Sequence, residues 1–305
     1  MSLFHWTIGR ERKKQIIPYL LIAPVVLYYT LFWLFPVIQA VSGSFLSAPL
    51  SKGGQLTFQN YMSLFKDPLF YQALFNTAFI VLISVTLEFF LAFGLALLIN
   101  MKFKGSGFFL FLALIPMSLP AVAVGAMWNS GLATYGWLNS FLISMGFIEA
   151  SEKFTFLAGT NFQRMILIIL VDAWQVIPYM MVILLSGMQS LKPEMFEAGY
   201  VFGGNKIQVL RKITIPLMKQ TITTAMILRI IAAIQIWLII VMLFGFNRLP
   251  VLLEQIVLNV DQYIADEFFR KGMALSVLVS LIVSSVSYIY LKVSGAFDQT
   301  EGKGV

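Results

Sequence analysis

The chain has 305 residues, 59% of them apolar and 11% charged, with a mean hydropathy of +0.85 and a formal net charge of +7. Those proportions lie far outside the range of soluble domains and place the protein in lipid. There is no cysteine and a single histidine, His5, which excludes disulfides, thiolate chemistry and paired-histidine metal sites.

In chain order, a basic tail over residues 1–15 precedes a first apolar window, Ile16–Val41. That run is longer than the apolar region of about 7–15 residues in a cleavable signal peptide, so it is read as a retained span. Five more windows follow near Asn76–Ile99, Phe108–Trp128, Met165–Gln189, Thr221–Phe244 and Met273–Lys292, each close to the ~20 residues that cross a bilayer core. Backbone groups cannot stay unpaired in lipid, so the windows are helices. The expected fold is all-α: one polytopic domain over residues 16–292 with six transmembrane helices, followed by a tail over 293–305. No intervening segment is long enough for a core of its own. The outer segment Asn129–Arg164 is expected to fold as short turns or interfacial helices against the helix ends.

Thirteen Lys and Arg residues lie on the side of the membrane that holds the N-terminus, accompanied by five acids, while the opposite loops carry seven of each sign. By the positive-inside rule both termini and the loop between the fourth and fifth windows are cytoplasmic. The +7 charge is a topology signal, and nucleic acid is not an implied partner.

That loop, residues 190–220, carries the most specific pattern in the chain. Pro193 suits a first helical turn, and Glu194 and Glu197 fall near the positive end of a short helix. Gly203-Gly204-Asn205 permits a tight reversal, and Lys206 to Ile213 reads as a second short helix stopped by Pro216. Such a helix–turn–helix protrudes from a membrane and does not cross it. Elsewhere no GxSxG and no phosphate-loop pattern occurs, so bond chemistry is not expected on this chain and any ATP is handled by another one.

The stretch Glu197-Ala198-Gly199-Tyr200-Val201-Phe202-Gly203, with Ile213-Thr214-Ile215-Pro216 after it, resembles the cytoplasmic EAA motif of binding-protein-dependent ABC importer permeases. Asn60-Tyr61, Asp67-Pro68, Ile115-Pro116 with Pro120, and Trp174 with Pro178-Tyr179 make the chain similar to the maltose-type sugar permeases within that group. The loop departs from the family pattern at Gly199 and Gly204, where alanine is usual, and at Phe202, where aspartate is usual. The usual Gly-Gly-Gly-Pro after the fifth helix is replaced by Phe244-Gly245-Phe246-Asn247-Arg248. The resemblance implies a multi-pass subunit in a prokaryotic cell membrane that pairs with a second permease. It also implies substrate delivery by an extracytoplasmic solute-binding protein and two ATP-binding subunits that hold the ATP and magnesium. Glu197, Ala198, Gly203 and Gly204 would then form the coupling element, with no cofactor or metal on this chain.

Ionisable groups inside spans default to functional hypotheses, and there are three: Glu88, Asp172 and Arg229. Asp172, Gln175, Val176 and Tyr179 share one helix face, and Arg229, Ala232 and Ala233 share another. The resemblance places these two faces across a sugar pathway, with Gln175 and Tyr179 reading hydroxyls. A rise of about 1.5 Å per residue puts Arg229 level with Tyr179 and roughly 10 Å below Asp172. Arg229 is therefore read as turned to water and substrate, a structural pair with Asp172 being the alternative. An exposed guanidinium in the pathway points to an acidic carbohydrate, with neutral sugars as the second option. Glu88 is read as a packing residue with an interhelical hydrogen bond. The rival class is an ion-coupled secondary transporter in which Glu88, Asp172 and Arg229 would be the coupling groups.

Overall fold

The computed structural model describes residues 17–261 and 266–296. The basic tail over 1–15 and all but the first four residues of the tail over 293–305 lie outside the described residues. Helices account for nearly everything described; the one β-bridge joins Leu46 and Leu56. The main helices are α1 Ile17–Ser44, α2 Pro68–Asn100, α3 Ser106–Leu114, α4 Ala121–Leu132, α5 Asn161–Gln189, α6 Pro193–Val201, α7 Lys206–Leu217, α8 Lys219–Ile234, α9 Leu238–Phe244, α10 Leu252–Asp261 and α11 Asp266–Val293. Four runs are long and apolar enough to cross a membrane unbroken: α1, α2, α5 and Glu267–Val293 within α11. Two bent pairs raise the number to as many as six. The described parts of Met1–Leu64 and Asn259–Val277 make one compact unit, and those of Phe65–Leu258 and Leu278–Val305 make another.

In the first unit, α1 contains a π-turn over Thr30–Leu34, just ahead of Pro36, which absorbs the missing proline N–H. Asn60 fixes the chain after α1, its Nδ2 donating to the carbonyls of Ser44 (2.8 Å) and Leu46 (3.0 Å). The hydroxyls of Tyr61 and Ser44 also meet, at 2.7 Å.

In the second unit, Asp67 caps α2 by accepting from Leu69 N at 2.9 Å, and Thr160 and Gln163 form a reciprocal capping box at the start of α5. Two apolar clusters stack along α2 and α5. One holds Ile80, Ile168, Ile169, Ile240 and Leu243; the other holds Ala92, Ala96, Met180, Met181, Leu184 and Ala225.

Two predicted spans are broken. The window Phe108–Trp128 bends by 95° between Ser106–Ser118 and Ala121–Leu132, because Pro116 and Pro120 both lack the N–H a helix needs. Gln175 Nε2 donates to the carbonyl of Leu119 at 2.8 Å, satisfying one group that the break frees. The window Thr221–Phe244 splits at Gln235–Trp237, where Trp237 has φ −157° and ψ −46°. The piece beyond the split, α9, packs on α4 so closely that a Cβ on Gly125 would lie 2.4 Å from Met242 Cβ, and Asn129 Nδ2 donates to Leu243 O at 2.7 Å.

The segment that follows α9 is pinned from several sides. Glu254, fully buried, accepts from the backbone N–H groups of Asn247 (2.6 Å) and Val251 (3.3 Å). Burial raises its pKa above the usual carboxylate range, and the two N–H groups pull the other way. Asn76 Nδ2 donates to Pro250 O, and Leu252 N donates to Thr77 Oγ1. Glu254→Ala strands two N–H groups, at about 1–3 kcal/mol for each that stays dry. A lower thermal unfolding midpoint in detergent is expected; an unchanged midpoint would show that water replaces the carboxylate.

Candidate functional site

Arg229 is 3% exposed and extends from α8 into a pocket of carboxylates contributed by two other helices. Its Nε donates to Glu88 Oε2 at 2.5 Å and its Nη2 to Glu88 Oε1 at 2.9 Å, a bidentate pair with α2. The same Nη2 also donates to Asp172 Oδ2 on α5. Glu88 is fully buried and Asp172 is 5% exposed. Along each helix the triad residue falls between the two apolar clusters, so three helices are tied together at mid-span.

This corrects one expectation: Arg229 does not face water in this structure. The alternative, a pair with Asp172, is present, and Glu88 makes its interhelical hydrogen bond to the same guanidinium. The 10 Å offset assumed straight, parallel helices. Here α8 leaves the preceding helix through a 69° bend and α5 carries Pro178 within it, so rise along the chain does not measure height. The arginine stem covers the remaining distance. Pro178 lies inside α5 and leaves it continuous over Asn161–Gln189.

The predicted faces separate accordingly. On α5, Asp172 is buried in the triad, Gln175 and Val176 are half-buried, and Tyr179 is 37% exposed. On α8, Ala232 is exposed but Ala233 is buried, and Gln235 is exposed at the break. Gln235 went unnoticed in the sequence because nothing in Ile234-Gln235-Ile236-Trp237 marks a helix end. Unwound backbone at a helix break is a common place for transporters to hold substrate.

At the other end of α5, Pro193–Val201 and Lys206–Leu217 form the helix–turn–helix expected of the loop. Glu197 and Ala198 are exposed on α6, and Gly203 turns the chain with φ +79°, a conformation that suits glycine. Asn205 is a cap as well as a turn residue: it and Gln208 bond each other's backbone N–H at 2.8 Å. Pro216 does not stop α7 at once. A π-turn over Leu210–Thr214 precedes it, and the helix runs to Leu217 before the bend at Met218.

Residues 88–298 match the family described as binding-protein-dependent transport system inner membrane components. The chain belongs to that family. It is 30% identical to the sulfoquinovosyl glycerol transport system permease protein SmoG of Agrobacterium fabrum, over 96% of this chain and 94% of that one. It is 28% identical to the trehalose/maltose transport system permease protein MalF of Thermococcus litoralis, over 93% and 94%. The fold matches the crystal structure of a bacterial ABC transporter involved in the import of the acidic polysaccharide alginate, with TM-score 0.79, 18% identity and coverage of 94% and 98%.

As a binding-protein-dependent permease the chain is a multi-pass membrane protein, and membership disfavours the ion-coupled carrier. The permease loop accommodates its own departures from the family pattern. A Cβ on Gly199 would stand 2.5 Å from Ile213 Cδ1, and one on Gly204 would stand 2.7 Å from the Gly199 carbonyl. The two glycines thus let α6 and α7 close on each other. Phe202, beside them in the turn, is 90% exposed.

Proposed function

We propose that this permease is one of two membrane subunits of an ATP-driven sugar importer working by alternating access. The observation that carries the reading is the exposed helix–turn–helix Pro193–Leu217, a rigid knob whose Glu197 is free to meet a basic residue of an ATP-binding subunit. The charge asymmetry supports a cytoplasmic position for that knob and both termini. Two ATP-binding subunits, a second permease and an extracytoplasmic binding protein complete the assembly. The last has a parallel in the alginate transporter, whose structure was solved with an alginate pentasaccharide-bound periplasmic protein.

Relatives named for sulfoquinovosyl glycerol, trehalose and maltose, and arabinooligosaccharides support a carbohydrate cargo. These include anionic and neutral sugars, so the charge of the cargo has to be read from the pathway. Substrate contact is assigned to Gln175, Val176 and Tyr179 on α5 and Ala232 on α8. The test is purification of the tagged chain from its native membranes in mild detergent. Two ATP-binding subunits per copy are expected to accompany it. Sugar uptake driven by an ion gradient, with no ATP-binding subunit retained, would overturn the reading in favour of the secondary carrier.

A further inference from the structure

Between Lys219 and Arg248 the sequence has a single basic residue, Arg229. Glu88 takes two of its donors and Asp172 shares one of them, so two carboxyl groups surround one guanidinium. With either carboxyl ionised against the guanidinium, the cluster carries no net positive charge. Residues that α5 and α8 leave at least partly open further along the chain are neutral: Gln175, Tyr179 and Val182 on one helix, and Leu228, Ala232 and the C-cap Gln235 on the other.

We propose that Glu88 is a specificity-determining residue of this permease: by holding Arg229 against α2 it withdraws from the pathway the one cation that α8 carries beyond its first residue, Lys219, and restricts the cargo to uncharged sugars. The inference rests on the α5 and α8 faces lining the pathway of an importer, and it names the substrate class of that site. Glu88 touches no substrate; it acts through Arg229. The chemistry is one of difference. A carboxylated or sulfonated sugar would need a desolvated partner cation, and Arg229, the one that the middle of α5 and α8 could offer, already faces two carboxyl groups. An uncharged pyranose needs amide and hydroxyl partners and an aromatic face, which Gln175, Gln235 and Tyr179 can supply. The acidic cargo expected from the sequence rested on an uncompensated Arg229, and the triad removes that ground.

The test requires no knowledge of the substrate. The chain has no cysteine, so Ala232→Cys, one turn from Arg229 on α8, gives this chain a single reactive thiol, whose modification is read on this chain after it is separated from its partners. Its modification rates are measured in the assembled transporter with an anionic reagent, 2-sulfonatoethyl methanethiosulfonate, and a cationic one, 2-(trimethylammonium)ethyl methanethiosulfonate. Each rate is normalised to that of a free thiol. The expected result is no preference for the anion in the Ala232→Cys chain. Adding Glu88→Gln should shift the ratio toward the anion by about tenfold, since one unit charge acts at short range in a partly dry site. Glu88→Asp should keep the original ratio, and Glu88→Gln with Arg229→Gln should remove the shift. A faster anion in the Ala232→Cys chain overturns the proposal even if Glu88→Gln fails to fold. A ratio unmoved by Glu88→Gln in folded protein overturns it too, reducing Glu88 to a packing residue. A failed importer assignment would show separately, as loss of the ATP-binding subunits on purification.

Discussion

Replacing Arg229 by glutamine alone is expected to be among the most destabilising single changes in this protein. It leaves Glu88 fully buried and Asp172 nearly so, with no cation beside either. Removing one partner of a buried ion pair costs about 3–5 kcal/mol, because the remaining charge cannot be rehydrated. An interhelical hydrogen bond between neutral groups in lipid is worth only about 0.6 kcal/mol on average. The two cases are therefore far enough apart to be told by experiment. The triple variant Glu88→Gln, Asp172→Asn, Arg229→Gln keeps shape and hydrogen-bonding capacity while removing every charge. It should regain most of the stability lost by Arg229→Gln. The measurement is the thermal unfolding midpoint of each purified chain in one detergent. A loss below about 1 kcal/mol for the single change would mean that water reaches the carboxyl groups and the cluster is not sealed.

The parts of the fold that could be read from the sequence are those decided by composition along one helix. The windows inside α2, α5 and α11 fall within the observed helices, because an uninterrupted apolar run has one solution in lipid. The two breaks have different origins. Pro116 and Pro120 were visible as residues, but a hydropathy window averages over them and does not ask where the Leu119 carbonyl finds a donor; Gln175, 56 positions later, supplies it. The break at Gln235–Trp237 has neither glycine nor proline, and the piece beyond it, α9, is held by a tertiary contact that seats Met242 against Gly125 of α4. No local pattern encodes that contact.

The triad was legible in its parts only. Three ionisable residues of compensating sign within spans are a signal that they meet. Rise along the chain equals height only for parallel rods, and α5 and α8 are not such a pair, so Arg229 and Asp172 meet despite their offset in rise. A lone buried carboxylate and a lone buried guanidinium are each costly, and the pairing that relieves both was available from the sequence.

The helix–turn–helix is where sequence and geometry coincide most closely, and it supports the second large expected effect. Gly203→Pro should abolish sugar uptake while leaving the chain inserted and folded. Gly203 has φ +79°, whereas a proline ring fixes φ near −65°, so the turn cannot keep its course. The substitution also deletes the Gly203 N–H, which donates to the Tyr200 carbonyl at 2.9 Å. Next to it, the Gly204 N–H bonds the Gly199 carbonyl at 3.0 Å, and this contact holds α6 against α7. Once the turn is redirected, Glu197 no longer stands at a fixed place relative to α7, and under the proposed function a knob meant to move with an ATP-binding subunit becomes a loose strap. The damage should stop there, because Gly203 is exposed and a Cβ on it would meet nothing within 4 Å. Uptake into proteoliposomes, ATP hydrolysis by the assembled transporter and the unfolding midpoint of the chain separate the outcomes. Hydrolysis that continues without uptake, at an unchanged midpoint, is the expected signature of a broken coupling element. Full uptake by Gly203→Pro would show that the turn carries no force between the subunits.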